Sequence, residues 1–280
     1  LLKPAGALHT THMRNEEERV TEAMDEAFAI GKSADVPVVI SHFKVHGKAN
    51  FGRSVETLAK FDAQRRQQPL ALDAYPYSAS STVLKAQWVD EAPKVMVTWS
   101  VPHPEMTGRL LENVAADWGC SQEEAAKRLQ PAGAVYFAMD EEDVQRILAY
   151  PHTMIGSDGL PHDAHPHPRL WGSFPRVLGH YAREQGLFPM QEAVRRMTSL
   201  PAERFGLTGR GRLMQNYAAD LVLFDPRTVK DRATFENPKQ PADGIAIVWV
   251  NGEIVWRDGK SGASRPGRVL RRQQMQTAIR

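Results

Sequence analysis

The chain has 280 residues, of which 42% are hydrophobic and 24% are charged, and its formal net charge is +2. This composition is that of an ordinary globular protein with one or two domains. The small net charge gives no reason to expect nucleic acid as a partner. No apolar run reaches the roughly 18 residues that would predict a membrane-spanning helix. The single cysteine, Cys120, excludes a disulfide within the chain and fits a reducing, cytoplasmic compartment.

Short apolar runs alternate with helical patterns from the first residues onward. Asn15 is suited to cap a helix that carries an apolar stripe of Val20, Met24, Ala27 and Phe28. Residues 54–66 predict another helix. The predicted strands are 5–12 (AGALHTTH), 36–44 (VPVVISHFK), 69–77 (PLALDAYPY) and 152–158 (HTMIGSD). This alternation predicts an α/β architecture with parallel strands, in which chemistry lies at the carboxyl ends of the strands.

Two parts of the sequence depart from this rhythm. Residues 78–150 are interpreted as an insertion between the third and fourth strands that could form a lid. After residue 209 the pattern changes to strands, and the pair Asn251-Gly252 between apolar runs predicts a two-residue hairpin. We therefore predict a barrel-like part over 1–209 and a small β domain over 210–280.

Three residues with metal-binding side chains follow predicted strands directly: His12, His42 and Asp158. Imidazole and carboxylate are common ligands of zinc, and a catalytic zinc site uses about three protein ligands and one open position. Taken singly, each has an ordinary structural interpretation, since a histidine at a strand end is usually hydrogen-bonded and Ser-Asp-Gly is usually a turn. Their shared position at strand ends makes a zinc site about as probable as those interpretations.

Several motifs together resemble those of the D-aminoacylase (N-acyl-D-amino-acid deacylase) family of the amidohydrolase superfamily. The motifs are TTHMRNE, VISHFKV, DAYPYSASST, VTWSVPHPE, IGSDGLPHDAHPHPRLWGSFPRVLGHY and ADLVLFDP. The resemblance implies a (β/α)₈ barrel of the TIM type with a small β-sandwich, and zinc-dependent hydrolysis of the amide of an N-acyl-D-amino acid. It also implies His12 and His42 as zinc ligands and Asp158 as the general acid and base.

The substrate of such an enzyme carries a free α-carboxylate, which cations and hydroxyl groups would bind. The resemblance implies that four residues contact it: Lys44, Tyr75, Ser81 and Arg169. The guanidinium of Arg169 has the planar geometry that pairs with a carboxylate. Without the resemblance, packing of Tyr75 and solvated ion pairs of Lys44 and Arg169 are the favoured interpretations.

Two features of the family pattern are missing from the sequence. The His-x-His pair of the first strand is not present, and neither is the cysteine ligand, since Cys120 lies in the predicted insertion. We therefore expect that an N-terminal segment, which would complete the barrel and the metal site, precedes Leu1. Without it, the barrel part would be a half-barrel with open sheet edges.

Two alternatives stay open at this stage. One is a catalytically incompetent fragment that serves as an interaction module, and the other is an amidohydrolase of cyclic amides, of the hydantoinase or dihydroorotase type. The motif HDAHPH contains three histidines (His162, His165 and His167) and could form a second metal site. We favour its interpretation as a proline-constrained loop at the rim of the active site.

Overall fold

The computed structural model describes residues 2–272, which form three separate sheets and the helices around them. The predicted C-terminal domain therefore extends past the described residues at 273–280. The strands, in chain order, are β1 (His9–Thr11), β2 (Val38–Ile40), β3 (Leu70–Ala74), β4 (Ser80–Val83), β5 (Val95–Ser100), β6 (Ala132–Tyr136), β7 (Thr153–Ile155), β8 (Leu221–Phe224), β9 (Ile245–Val250), β10 (Glu253–Arg257) and β11 (Lys260–Ser261).

The α-helices cover the faces of these sheets and the connections between them. In chain order they are α1 (Val20–Ala34), α2 (Ser54–Arg65), α3 (Leu111–Trp118), α4 (Gln122–Leu129), α5 (Glu141–Ala149), α6 (Arg169–Arg176), α7 (Met190–Met197) and α8 (Ser199–Phe205). A π-helix, Val177–Glu184, continues α6, and a 3₁₀ helix, Ala86–Glu91, lies between β4 and β5. No helix among residues 2–272 has the length and apolar character needed to cross a membrane.

The sheet that positions the candidate site is parallel, with strand order β1-β2-β3-β7. Helices cover the inner strands of this sheet, so all residues of β2 and β7 are buried, whereas β1 at its edge is polar and partly exposed. In α1, the residues Val20, Met24 and Phe28 pack into the same core as β2, which confirms the predicted stripe. The α/β class is confirmed, while membership of these strands in a (β/α)₈ barrel stays a prediction.

A second, antiparallel sheet with strand order β4-β6-β5 lies in the segment predicted to be an insertion. It has its own apolar core together with α3 and α4, which includes Val97, Leu111, Leu129 and Tyr136. Helix α5, although predicted within the insertion, contributes Val144 and other side chains to the main core. The separately packed unit is therefore shorter than residues 78–150.

The third sheet is also antiparallel, with order β11-β10-β9-β8. Asn251 and Gly252 connect β9 to β10 with φ values of 48° and 86°, so the predicted hairpin is confirmed. Asn216, in the segment before β8, also has a left-handed backbone, with φ 69°. The sandwich arrangement of this domain stays a prediction.

One predicted helix start differs from the structure. Helix α1 begins at Val20, and Asn15 lies one turn earlier, where its Oδ1 accepts hydrogen bonds from the backbone N–H groups of Glu17 and Arg19. The side chain thus organises the turn that precedes the helix, and this turn places Glu16 and Glu17 beside the strand ends. The sequence pattern identified the capping side chain, but the helix begins later because the turn has its own hydrogen bonds.

Candidate metal centre and substrate cleft

The carboxyl ends of the parallel strands bring the predicted site residues to one edge of the sheet. His12 follows β1, His42 follows β2 after one residue, Tyr75 follows β3, and Asp158 follows β7. A cleft of about 510 Å³ opens at this edge, and all of the predicted site residues line it. They are His12, His42, Lys44, Tyr75, Ser81, Asp158 and Arg169.

Two of these residues have a backbone conformation that is uncommon outside glycine. His42 has φ 41° and Asp158 has φ 48°. Such left-handed residues are disfavoured sterically, and they are found at functional sites when the surrounding structure holds them in place. For His42 the restraint is Asp73 in β3, whose Oδ1 accepts a hydrogen bond from the His42 N–H at 2.9 Å.

The rings of His12 and His42 face each other, with centroids 4.8 Å apart and Nδ1 of His12 3.1 Å from Nε2 of His42. Two nitrogens bound to one tetrahedral zinc at about 2.05 Å would be separated by about 3.3 Å. The observed spacing therefore fits a shared zinc ion, and it also fits an N–H···N hydrogen bond between the rings. Burial lowers the pKa of His12, against the opposing effect of Glu16, so that the ring is neutral at pH 7.

A buried carboxylate, Glu16, lies behind the histidine pair. Its Oε1 is 3.1 Å from Nδ1 of His42 and 2.7 Å from Nζ of Lys44. Burial would raise the pKa of Glu16, but the Lys44 ammonium and the bond from His42 outweigh it and lower that pKa to about 2. Burial likewise opposes the charge of Lys44, but Glu16 raises the Lys44 pKa, so both groups of this ion pair are charged at neutral pH.

A buried guanidinium, that of Arg169, also lines the cleft. Arg169 is 1% exposed, its guanidinium carbon lies 4.5 Å from the centre of the Tyr75 ring, and its Nη2 is 2.9 Å from Oδ2 of Asp158. Among the described residues, Nε and Nη1 of Arg169 and Oγ of Ser81 are buried without a hydrogen-bond partner. Unpaired buried donors are costly, so this wall is suited to bind an anion.

The hydroxyl group and the aromatic ring of Tyr75 have different neighbours. Its hydroxyl group lies 4.0 Å from the sulfur of Met139, while its ring faces Lys44 and Arg169. The ring is fully buried, and burial raises the pKa of the hydroxyl. The aromatic face therefore lies close to both cations, and a contact of the Tyr75 hydroxyl with the substrate stays a prediction.

The histidines of the HDAHPH loop do not form a second metal cluster among residues 2–272. Nε2 of His167 contacts the carbonyl oxygen of Ala79 at 3.0 Å, and its Nδ1 accepts from the N–H of Arg169. Nε2 of His165 is 2.6 Å from the carbonyl oxygen of Phe235. The loop thus holds Arg169 in place, in agreement with its interpretation as a structured rim.

Sequence reasoning missed three residues that the structure brings to the site. Glu16 lies in a run of three glutamates before the predicted helix and His46 follows the second predicted strand, so neither sequence position marks a site residue. Asp73 also went unnoticed, although an aspartate inside the apolar run LALDA is a signal because a buried carboxylate needs partners. The position of Glu16 could not be inferred, since it depends on the turn that Asn15 organises.

Comparison with known proteins gives consistent relatives. The amidohydrolase family model matches residues 105–256. A D-aminoacylase from Alcaligenes xylosoxydans xylosoxydans is 57% identical over 97% of this chain and 56% of the relative, and an N-acyl-D-glutamate deacylase from the same organism is 51% identical over 95% of this chain and 55% of the relative.

Solved structures agree with these sequence relatives. A D-aminoacylase crystal structure superimposes with a TM-score of 0.94 and 56% identity over 97% of this chain and 57% of that chain. The structure of an N-acyl-D-glutamate deacylase from Bordetella bronchiseptica, complexed with zinc and a phosphonate inhibitor, superimposes with a TM-score of 0.93 and 50% identity. The match covers 96% of this chain and 57% of that chain.

The present chain thus spans little more than half the length of these relatives. Within that span, the likeness covers the parallel strands, the cleft and the C-terminal sheet. The chain belongs to the amidohydrolase family, and it resembles the D-aminoacylases and N-acyl-D-amino-acid deacylases over nearly all of its length.

Proposed function

We propose that the protein contributes the catalytic cleft of a zinc-dependent hydrolase that cleaves N-acyl-D-amino acids into a carboxylate and a D-amino acid. The observation that carries the proposal is the content of the cleft, which is lined by an imidazole pair and by Arg169, a buried guanidinium with two unpaired donors. An N-acyl amino acid has the matching groups, an amide to be cleaved and a free carboxylate a few bonds away. The relatives with these names support the substrate class.

His12 and His42 would hold the zinc ion, and Glu16 is the described carboxylate whose ligand atom lies within 4.8 Å of those of both histidines. When bound, zinc polarises a carbonyl group and lowers the pKa of a water molecule toward neutrality. With zinc on Nε2 of His42, Nδ1 would carry the proton and Glu16 would accept it at 3.1 Å, beside the Lys44 ammonium that lies 2.7 Å from the same nitrogen.

Asp158 would act as the general base and then as the general acid. It accepts a proton from the attacking water as the oxygen–carbon bond forms, and it returns that proton to the amide nitrogen as the carbon–nitrogen bond breaks. Its carboxylate is oriented by Arg169 through the 2.9 Å contact and remains partly open to the cleft. Asp158 has a left-handed backbone with φ 48°, a conformation that the surrounding structure must hold in place.

The substrate carboxylate would bind between Arg169, Lys44 and Ser81. The free Nε and Nη1 of Arg169 offer two donors, and the Ser81 hydroxyl offers a third. Lys44 is 7% exposed and already paired with Glu16, so it contributes charge near the cleft at little cost in ordering. A binding site with fixed donors on one side of the amide would distinguish the two enantiomers of the substrate.

The test is hydrolysis of N-acetyl-D-methionine and its L enantiomer by the zinc-loaded protein, compared with Asp158→Asn. We expect release of the D-amino acid only, and a loss of about 10²–10⁴-fold in kcat for Asp158→Asn with zinc content unchanged. Glu18→Gln, an exposed carboxylate change, is the control. Equal turnover of both enantiomers, turnover of a cyclic amide in their place, or no turnover and no binding of the acylated amino acid by calorimetry would overturn the proposal.

A further inference from the structure

A second cluster of potential metal ligands lies beside the cleft, apart from the histidine pair. Glu17, His46 and Glu91 each offer one ligand atom, and these atoms lie within 4.8 Å of one another. They come from three parts of the fold: the turn before α1, the segment after β2, and the end of the 3₁₀ helix Ala86–Glu91. Three polar side chains can also lie close together without binding a metal. The burial and the hydrogen-bond partners of each ligand atom distinguish the two cases.

Two of the three ligand residues carry buried atoms that lack a partner. His46 is 7% exposed, and its Nδ1 has no hydrogen-bond partner among the described residues. Among residues 2–272, Oε2 of Glu91 is likewise buried and has no hydrogen-bond partner. Nδ1 of His46 lies 3.8 Å from Oε1 of Glu17, too far for a hydrogen bond and close enough for both atoms to bind one cation.

The other nitrogen of His46 explains why Nδ1 is available. Nε2 lies 3.3 Å from Oγ of Ser80, and in the tautomer in which Nε2–H donates to that hydroxyl Nδ1 keeps its lone pair. The backbone on either side is fixed, because the N–H of His46 donates to the carbonyl oxygen of Glu16 and its own carbonyl oxygen accepts from Asn50. The ring is therefore held in one orientation, as metal ligands usually are.

The carboxylates have the charge that a cation would balance. Burial is the main cause that raises the pKa of Glu17 to about 7, and the neighbouring Glu91 carboxylate adds to it. Burial also lowers the pKa of His46 to about 4, which leaves the imidazole neutral at pH 7. Without a cation, a protonated Glu17 would donate a hydrogen bond to Glu91, and a bound cation would take the place of that proton.

We propose that Glu17, His46 and Glu91 form a structural site for a borderline divalent cation such as Zn²⁺, distinct from the His12–His42 pair. One nitrogen and two oxygen ligands suit Zn²⁺ or Mn²⁺ better than Ca²⁺, which prefers oxygen alone. The ion would join the antiparallel unit, through Glu91, to the parallel sheet, through His46. It would thereby fix the wall of the cleft that carries Ser80 and Ser81.

The experiment measures zinc bound to the chelator-treated chain after dialysis against Zn²⁺, by elemental analysis. The His42→Asn variant removes the histidine pair and should still retain about one equivalent at the proposed site. Adding Glu91→Gln to it should abolish that equivalent, while adding Asp90→Asn, an exposed neighbour in the same 3₁₀ helix, should not. Retention of the zinc in His42→Asn/Glu91→Gln would overturn the proposal.

A second readout follows the proposed ligand atom, Nδ1 of His46, in the unmodified chain. In the unmodified chain, Zn²⁺ should shift the ¹⁵N resonance of His46 Nδ1 in long-range proton–nitrogen spectra, with the resonance assigned by loss in His46→Gln. Nε2 of His46 should remain protonated, so its resonance should stay that of an N–H nitrogen. If Zn²⁺ leaves Nδ1 of His46 unchanged at saturation of the chain, the site does not exist.

Discussion

Oε1 of Glu16 lies 3.1 Å from Nδ1 of His42, a nitrogen that Nζ of Lys44 also approaches to 2.7 Å. The same carboxylate pairs with the buried Lys44. One glutamate, placed by a turn before α1, therefore links the candidate zinc ligand to the candidate substrate-binding cation.

Glu16→Gln should weaken both functions of this carboxylate. Loss of the acceptor for His42 should reduce zinc affinity about 10–100-fold, as for other residues that orient a ligating histidine. Leaving Lys44 buried and unpaired should lower the free energy of unfolding by about 3–5 kcal/mol. Competition titration against a chelator and urea unfolding measure the two effects, with Glu18→Gln as the exposed control. Unaltered zinc affinity would separate Glu16 from the metal site.

Much of the candidate site could be predicted because strand ends can be recognised locally. His12, His42 and Asp158 each follow a short apolar run, and parallel strands bring such positions together regardless of their distance in sequence. Glu16 and His46 could not be predicted in this way, because their positions depend on turns and on contacts between separate units. The antiparallel sheet of the insertion was similarly hidden, since apolar runs alone do not reveal which strands pair.

The stability of the chelator-treated chain should depend on pH through Glu17. Burial and the Glu91 carboxylate raise the pKa of Glu17 from 4.5 to about 7 in the folded chain. A raised folded-state pKa gives a stabilising contribution that is complete below about pH 4.5 and is lost as pH rises through 7. Urea unfolding at pH 5 and at pH 7.5 should therefore show a smaller pH-dependent loss for Glu17→Gln than for the unmodified chain.

The control for this experiment is Glu18→Gln, which changes the charge at an exposed neighbouring position. It should keep the pH dependence of the unmodified chain. Identical pH dependence in the unmodified chain and Glu17→Gln would show that Glu17 ionises normally.

Arg169→Met should affect substrate binding more than the chemical step. The two unpaired donors of this guanidinium are expected to bind the substrate carboxylate, and a charged hydrogen bond contributes about 1.5–3 kcal/mol. KM for the N-acyl-D-amino acid should therefore rise at least 10-fold, with a smaller change in kcat. Arg14→Met is the matched control, because Arg14 lies at the rim of the cleft but is exposed and paired with Glu26. A fall in kcat with KM unchanged would contradict this role for Arg169.

Gly31→Ala should destabilise the fold by disturbing the packing of α1 on β2. A Cβ atom on Gly31 would lie 2.1 Å from Cγ2 of Val38, well inside van der Waals contact, and 3.3 Å from the carbonyl oxygen of Val36. Accommodating the methyl group requires β2 or its side chain to shift, at a cost of about 1–3 kcal/mol. Gly267→Ala is the control, since nothing lies within 4 Å of its added Cβ. Urea unfolding of the two variants should differ accordingly, and equal stability would mean that α1 and β2 pack less tightly than the structure indicates.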